Sequence, residues 1–152
     1  MCYADYIIVA GKRLIIEHIS GKIDNDLILE LKSRESHDKN YNWTYNVIVD
    51  FRGAEFLMNM ENIGNLVNNI RNNKLIKGQR NIAFLTETPD QVVIATLIKQ
   101  LKKELPINVS IVSTLDRALD RVELLKDDKQ LIEYNLDLMR NQSEKILKKT
   151  NK

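Results

Sequence analysis

The chain has a single cysteine, Cys2, among its 152 residues. One cysteine cannot form a disulfide within the chain, and it cannot build a cysteine zinc cluster, which needs several thiolates. Proteins without disulfides are typical of reducing compartments. We therefore expect the protein to be cytoplasmic.

Long apolar segments and a strong net charge are also missing. No window approaches the roughly 18 apolar residues that a membrane-spanning helix needs, and no basic segment precedes an apolar run at the start. The formal net charge is only +2, whereas nucleic-acid binding needs several cationic residues on one face. We expect neither membrane insertion nor a nucleic-acid partner.

Signatures of catalysis and of metal binding are missing as well. The two histidines, His18 and His37, do not have the spacing that gathers metal ligands. The chain contains neither a Gly-x-x-x-x-Gly-Lys phosphate loop nor a Gly-x-Ser-x-Gly nucleophile turn. The sequence therefore predicts a protein that is not an enzyme and that has no metal or cofactor.

Residues 47–56 are the segment around which the chain is organised. Val47, Ile48 and Val49 are apolar and β-branched, which predicts a buried central strand at 44–50. The segment Asp50-Phe51-Arg52-Gly53 follows directly and predicts a turn.

The other strands are predicted from short apolar runs. Runs at 6–10 and 13–19 are separated by Gly11-Lys12, which favours an antiparallel hairpin. The segment Ser20-Gly21-Lys22 then predicts the end of the second strand. Two more strands are expected at 81–85 and 107–112, each bounded by turn residues.

Helix starts are marked by residues that cap free backbone amides. These residues are Asp24, Asn59, Thr88 with Pro89 and Gln91, and Ser113 with Thr114. Because helices separate the strands, the order predicts an α/β fold with a mostly parallel sheet and an antiparallel edge.

The last helical segment, at 129–148, differs from the others because it is apolar on more than one side. We expect one domain at 1–126 and a helical extension at 127–152. The extension docks either on its own core or on another chain, and the second alternative would give a homodimer.

The element order and two motifs resemble the STAS domain, the fold of anti-sigma-factor antagonists (SpoIIAA-like proteins). The resemblance covers roughly residues 3–125. Its first motif is Val49-Asp50-Phe51-Arg52-Gly53-Ala54-Glu55-Phe56-Leu57, and its second is Ser113-Thr114-Leu115-Asp116-Arg117-Ala118-Leu119. The resemblance implies a regulatory module that binds another protein.

One departure from the family changes what the resemblance implies. Phosphorylated antagonists carry Asp-Ser-Ser-Gly at the helix start, and this chain has Met58-Asn59-Met60-Glu61 in the same register. Without a hydroxyl no phosphoester forms there, so the usual charge switch at a helix N-terminus is absent. The chain is similar to a branch of the family whose turn carries Asp-x-Arg-Gly.

Candidate binding residues follow the central strand, because open α/β sheets usually bind ligands at the carboxyl ends of their strands. We expect partner contacts from Asp50, Arg52, Glu55, Phe56, Met58, Asn59, Met60 and Glu61. Local roles compete for some of them. Asp50 could accept backbone amides that lock the turn, Arg52 could cover an apolar edge, and the two methionines could fill the core.

Three hypotheses of function follow from these patterns. The first is a non-enzymatic regulatory module that binds a protein partner through residues 56–65. The second is a carrier of a small hydrophobic ligand or lipid, because the same rim of the sheet is apolar. The third is a structural module that associates with itself through the last helix.

Overall fold

The computed structural model describes residues 1–72, 78–102 and 105–150, and these residues form an α/β fold. Its strands are β1 (Cys2–Val9), β2 (Leu14–Ile23), β3 (Asn46–Asp50), β4 (Ala54–Phe56), β5 (Arg80–Leu85) and β6 (Ile107–Val112). Its α-helices are α1 (Asn25–Ser36), α2 (Met60–Asn72), α3 (Pro89–Leu101), α4 (Leu115–Arg121) and α5 (Lys129–Lys149).

The strands form one mixed sheet with β3 in the middle, in the spatial order β1, β2, β3, β5, β6. β1 is antiparallel to β2 at the edge, and the pairs β2–β3, β3–β5 and β5–β6 are parallel. β4 pairs with the far end of β2, beyond the end of β3. The predicted α/β class, with a mostly parallel sheet and an antiparallel edge, is therefore confirmed.

Alternate residues of β2 point to opposite faces of the sheet and join two separate cores. Ile15 and Ile19 pack with residues of α1, α2 and α3. Leu14 and Ile16 pack with residues of α4 and α5 on the other face. Because both faces are covered by helices, β2 is buried along most of its length.

Helix α5 closes the second core and packs mainly against β1 and β2. The residues that it buries are Ile132, Leu136, Met139 and Ser143. Four large apolar residues of the same helix are exposed, Leu131, Tyr134, Leu138 and Ile146. The segment thus packs on its own sheet, and the homodimer stays a prediction.

The predicted helix starts are confirmed by hydrogen bonds. Four side-chain oxygens each accept a backbone amide from three residues later at 2.9–3.3 Å, and the capping residues are Asp24, Asn59, Thr88 and Thr114. Gln91 completes a capping box with Thr88, because its Oε1 accepts the backbone amide of Thr88 at 3.3 Å. These contacts satisfy amides that a helix leaves without intrahelical partners.

The prediction that Ser20-Gly21-Lys22 ends the second strand is wrong. β2 continues to Ile23, and Gly21 pairs with Cys2 on one side and with Ala54 on the other. Gly21 has a φ of 80°, and a Cβ atom there would lie 2.4 Å from the Met1 carbonyl oxygen. The glycine therefore permits a close approach between neighbouring strands and does not break the strand.

Two further details differ from the sequence-based expectation. The link between β1 and β2 is a 3-10 turn at Ala10–Lys12 followed by Arg13 in the left-handed region, in place of a two-residue hairpin loop. No strand is predicted from the sequence at residues 54–56, where β4 lies. β2 extends beyond the end of β3, and its last residues, Gly21–Ile23, are therefore free to pair with β4.

Candidate functional site

The turn after β3 is organised by the carboxylate of Asp50, which is fully buried. Its Oδ1 accepts the backbone amide of Arg52 at 3.0 Å and the Nε of the same residue at 2.8 Å. Its Oδ2 lies 3.1 Å from both Nη2 of Arg52 and Nδ1 of His18. Both carboxylate oxygens therefore have hydrogen-bond partners. The carboxylate holds the turn in place by bonding to the backbone and the side chain of Arg52.

The charge of Asp50 is stabilised against its burial. Burial alone would raise the pKa of Asp50, but hydrogen bonds from His18 and Arg52 together with the Arg52 charge lower it below the ordinary value. An ionised carboxylate only accepts hydrogen bonds, so the Nδ1 atom of His18 carries the shared proton. The same contact with Asp50 raises the pKa of Arg52.

A second set of contacts ties the turn to the start of α3. The backbone amide of Gly53 donates to Oε1 of Glu87 at 2.7 Å. The side-chain amide of Gln91 donates to the carbonyl oxygen of Ala54 at 3.1 Å. Gly53 has a φ of 87°, which a residue with a side chain rarely adopts. The turn is thus held from β2, from its own backbone and from α3.

Aromatic packing supports the same turn from the other side of the sheet. The Phe51 ring is stacked 4.9 Å from that of Phe84 and meets the ring of Phe56 edge-on at 4.8 Å. Such pairs stabilise a fold beyond the area that they bury. Phe56 is half-buried as a result.

A groove lies between β4 and the first turn of α3, and we call it the β4–α3 groove. It has a volume of about 410 Å³, and its lining includes Glu55, Met58, Asp90 and Val93. Large apolar side chains around this end of the sheet are exposed, namely Leu57 by 57%, Met60 by 65% and Val93 by 55%. An exposed apolar cluster with an acidic rim is typical of a surface that binds a partner.

The structure divides the eight predicted binding residues into three groups. Asp50 lies inside the protein, and its contacts are those of the turn-locking alternative. Arg52, Phe56 and Met58 are partly exposed. The remaining four are exposed, and they are Glu55, Asn59, Met60 and Glu61. Asn59 also caps α2 by a reciprocal pair of hydrogen bonds with Asn62.

A buried charged cluster between β2 and α1 was not predicted from the sequence. Lys32 hydrogen-bonds to Glu17, and its Nζ lies 3.5 Å from Oε2 of Glu35. Burial and the charge of Glu17 raise the pKa of Glu35 to about 8, although Lys32 opposes that shift. The spacing of Lys32 and Glu35 on α1 is a usable signal, but the arrival of Glu17 from β2 is not visible in the sequence.

An apolar cavity lies next to this cluster, and Glu17 and Lys32 form part of its lining. Its volume is about 70 Å³. Ligand pockets in proteins usually measure about 300–1,000 Å³. The cavity is therefore too small, in this conformation, for a lipid-sized ligand.

Two hydrogen bonds between the sheet and α5 were also missed. The hydroxyl groups of Ser20 and Ser143 hydrogen-bond to each other in the interior, and the Tyr3 hydroxyl donates to Oε1 of Gln142 at 3.1 Å. These partners are separated by more than 120 residues of sequence, so no local pattern relates them. They fix the position of α5 over the ends of β1 and β2.

The fold and the site define a class: an α/β protein with a mixed sheet and an exposed apolar groove beside a rigid turn. A scan against models of known protein families found no match, and a search of curated proteins found no similar sequence.

Within the described ranges, no helix is long and apolar enough to cross a membrane. Nor do the residues described by the structure include a group of three or more metal-ligating side chains placed to hold an ion.

Proposed function

We propose that this chain is a cytoplasmic, non-enzymatic regulatory module of STAS-like type, which binds a protein partner through the β4–α3 groove and the start of α2. The observation that carries the proposal is the exposure of three large apolar side chains: Val93 lines the groove, Leu57 follows β4, and Met60 begins α2. Large apolar side chains grouped at one place on a surface mark binding sites more often than isolated ones do.

The frame behind the groove favours binding with little rearrangement. Asp50 and Glu87 hold the turn by hydrogen bonds, and Gln91 joins β4 to α3. A surface that is already ordered loses little conformational entropy when a partner binds. Met58 and Met60 supply adaptable side chains on this fixed frame, which suits an irregular apolar partner surface.

The charges around the groove indicate what kind of partner fits. The exposed acidic residues at this rim are Glu55, Glu61, Glu87 and Asp90. A partner segment with an apolar side chain flanked by Lys or Arg would match both the groove and its rim. Residues 57–61 contain no hydroxyl group, so binding at this surface is not switched by phosphorylation of the turn.

Affinity capture with matched variants tests this proposal. Wild-type protein, Met60→Asp and Leu125→Asp serve as baits in lysate of the source cells, and retained proteins are identified by mass spectrometry. Leu125 is 71% exposed and lies between α4 and α5, outside both the groove and the start of α2, so its variant controls for adding a charge to an exposed apolar residue. Thermal unfolding of each variant verifies that it is folded.

The proposal expects one partner that is retained in near-equal amount by wild type and by Leu125→Asp, and that is lost from Met60→Asp. An acidic charge at an apolar contact must be desolvated when the partner binds, and that loss weakens the complex by a factor of ten or more. Equal retention by all three baits, or retention of no partner by wild type, would contradict the proposal.

A further inference from the structure

A second and larger groove lies at the opposite edge of the sheet, where the parallel strands begin. Its volume is about 560 Å³, which is within the range of pockets that bind small molecules. Residues before β2, at the start of β3 and β5, and in β6 contribute to its lining, and the segment after α4 closes one side. We call it the amino-edge groove. It shares no lining residue with the β4–α3 groove.

Three asparagines form a row along this groove, on neighbouring parallel strands. Asn46 accepts the backbone amide of Asn81 at 2.9 Å through its Oδ1, and its Nδ2 donates to the Val122 carbonyl oxygen at 3.0 Å. Asn108 donates from Nδ2 to Oδ1 of Asn81 at 3.1 Å. The described residues provide no partner for Nδ2 of Asn81 or for Oδ1 of Asn108, so a donor and an acceptor remain for a ligand.

Cationic groups lie at the same edge. Arg13 is exposed, and the one hydrogen bond between its side chain and a described residue goes from Nη2 to the Thr44 hydroxyl at 3.4 Å. No carboxylate of the described residues forms an ion pair with it. Arg80 is buried, and its hydrogen bonds go to neutral oxygens of Trp43 and Tyr41. The guanidinium of Arg13 is therefore available for an anion.

Backbone strain is concentrated at this groove. Within the described ranges, the non-glycine residues with positive φ are Arg13 at 50° and Glu123 at 62°, and both line the groove. Residues with a side chain adopt this conformation at a cost in free energy, and such residues cluster at functional sites. Here the conformation places one cation and one carboxylate on the lining of the same groove.

From this arrangement we infer that the amino-edge groove binds a small phosphate ester that carries hydroxyl groups, such as a sugar phosphate. Arg13 pairs with the phosphate, since a guanidinium matches phosphate geometry with two parallel hydrogen bonds. The free amide groups of the asparagine row and the carboxylate of Glu123 hydrogen-bond to the hydroxyls. This inference does not depend on the proposed partner surface, because the two sites share no residue.

Nuclear magnetic resonance titration of the full chain tests the inference, with ribose 5-phosphate, inorganic phosphate and ribose as separate probes. The variant Arg13→Asn removes the guanidinium, and asparagine is the side chain that best tolerates the left-handed region. Arg117→Asn is the control, because Arg117 is an exposed arginine of α4 that does not line the groove.

The inference expects ribose 5-phosphate to shift the side-chain amide signals of Asn81 and Asn108 at about millimolar concentration or below. It also expects Arg13→Asn to weaken that binding about tenfold, as loss of a charge-assisted hydrogen bond does, and Arg117→Asn to leave it unchanged. The inference is overturned if wild type shows no shift at these amides, if Arg13→Asn binds as well as wild type, or if inorganic phosphate binds as tightly as ribose 5-phosphate.

Discussion

The Nδ1 atom of His18 lies 3.1 Å from Oδ2 of Asp50, and the two residues are register partners on adjacent parallel strands in the middle of the sheet. Both side chains are buried. Arg52 completes this unit from the turn, with its Nε 2.8 Å from Oδ1 of the same carboxylate. The carboxylate of Asp50 thus connects His18, inside the sheet, with Arg52, in the turn beside the β4–α3 groove.

Asp50→Asn tests this unit. The substitution removes the negative charge and leaves the guanidinium of Arg52 without its ion-pair partner, so we expect the free energy of unfolding to fall by about 3 kcal/mol. Chemical denaturation at neutral pH measures the loss. An exposed substitution, Asp90→Asn, is expected to lower the stability by less than about 1 kcal/mol, because Asp90 interacts only with the N-terminus of α3. Equal effects of the two substitutions would show that the buried pair does not stabilise the turn.

The loss of stability at low pH provides a separate prediction for Asp50. The pKa of this group is lowered in the folded state, so its stabilising contribution is present above the unfolded-state pKa of about 4 and is lost as the pH falls through the folded value. Unfolding of wild type below about pH 4 should therefore be steeper than that of Asp50→Asn. Parallel acid limbs in wild type and variant would argue against a lowered pKa.

Glu35 predicts a pH dependence of the opposite sign. Its pKa is raised to about 8 by burial and by the charge of Glu17, so the folded state binds a proton that the unfolded chain has lost. The free energy of unfolding should fall as the pH rises from about 4.5 to about 8, by up to about 1.4 kcal/mol per pH unit. Urea denaturation at pH 5 and at pH 8 measures the change.

Glu35→Gln is the variant that isolates this effect, because glutamine keeps the shape and does not titrate. The variant should lose much of the wild-type difference in stability between pH 5 and pH 8. The exposed neighbour Glu30 offers a control on the same helix, and Glu30→Gln should retain the wild-type difference. If Glu35→Gln keeps the full pH dependence, another group is responsible for it.

Docking of α5 on its own sheet predicts a contrast between the two sides of that helix. Leu136 is buried in the second core, whereas Leu138 is exposed. We expect Leu136→Ala to lower the free energy of unfolding by about 2–5 kcal/mol and Leu138→Ala to change it by less than about 0.5 kcal/mol. Denaturation at two protein concentrations completes the test. Similar losses for both, with a dependence on concentration, would indicate that α5 packs on a second copy.

Substitution of Gly21 by alanine tests the close approach of β1 and β2, and the same substitution at Gly11 is its control. A Cβ atom at Gly21 would meet the Met1 carbonyl oxygen at 2.4 Å, whereas one at Gly11 would meet nothing within 4 Å. We expect Gly21→Ala to destabilise the protein by about 1–3 kcal/mol, because the new methyl group clashes with backbone and the φ is positive. Gly11→Ala should be close to neutral. Thermal unfolding that ranks them in the opposite order would contradict the pairing of β1 with β2 at this point.

The sequence predicts elements whose signals are local. The cap at Thr88 with Pro89 and Gln91, and the apolar stripe of α2, specify helices within a few residues of where they lie. The β-branched run of Val47, Ile48 and Val49 similarly indicates a buried strand, because its composition alone makes exposure unfavourable. Such features depend on near neighbours and can be read without the tertiary structure.

Features that depend on distant partners were missed. Ser20-Gly21-Lys22 has turn-like composition, but pairing with β1 and β4 overrides that local preference. The contact of His18 with Asp50 crosses 32 residues, and that of Ser20 with Ser143 crosses 123 residues. Sequence patterns placed most of the candidate surface on one turn but could not show that Asp50 faces inward.

Hydrogen exchange with mass spectrometry, on wild-type protein with and without the partner retained in affinity capture, tests the central proposal most directly. The proposal predicts slower exchange on binding at residues 56–65 and in the first turn of α3, with little change along α5 and around the amino-edge groove. Protection that is confined to α5 or to the amino-edge groove, with residues 56–65 unchanged, would contradict the assignment of the partner surface.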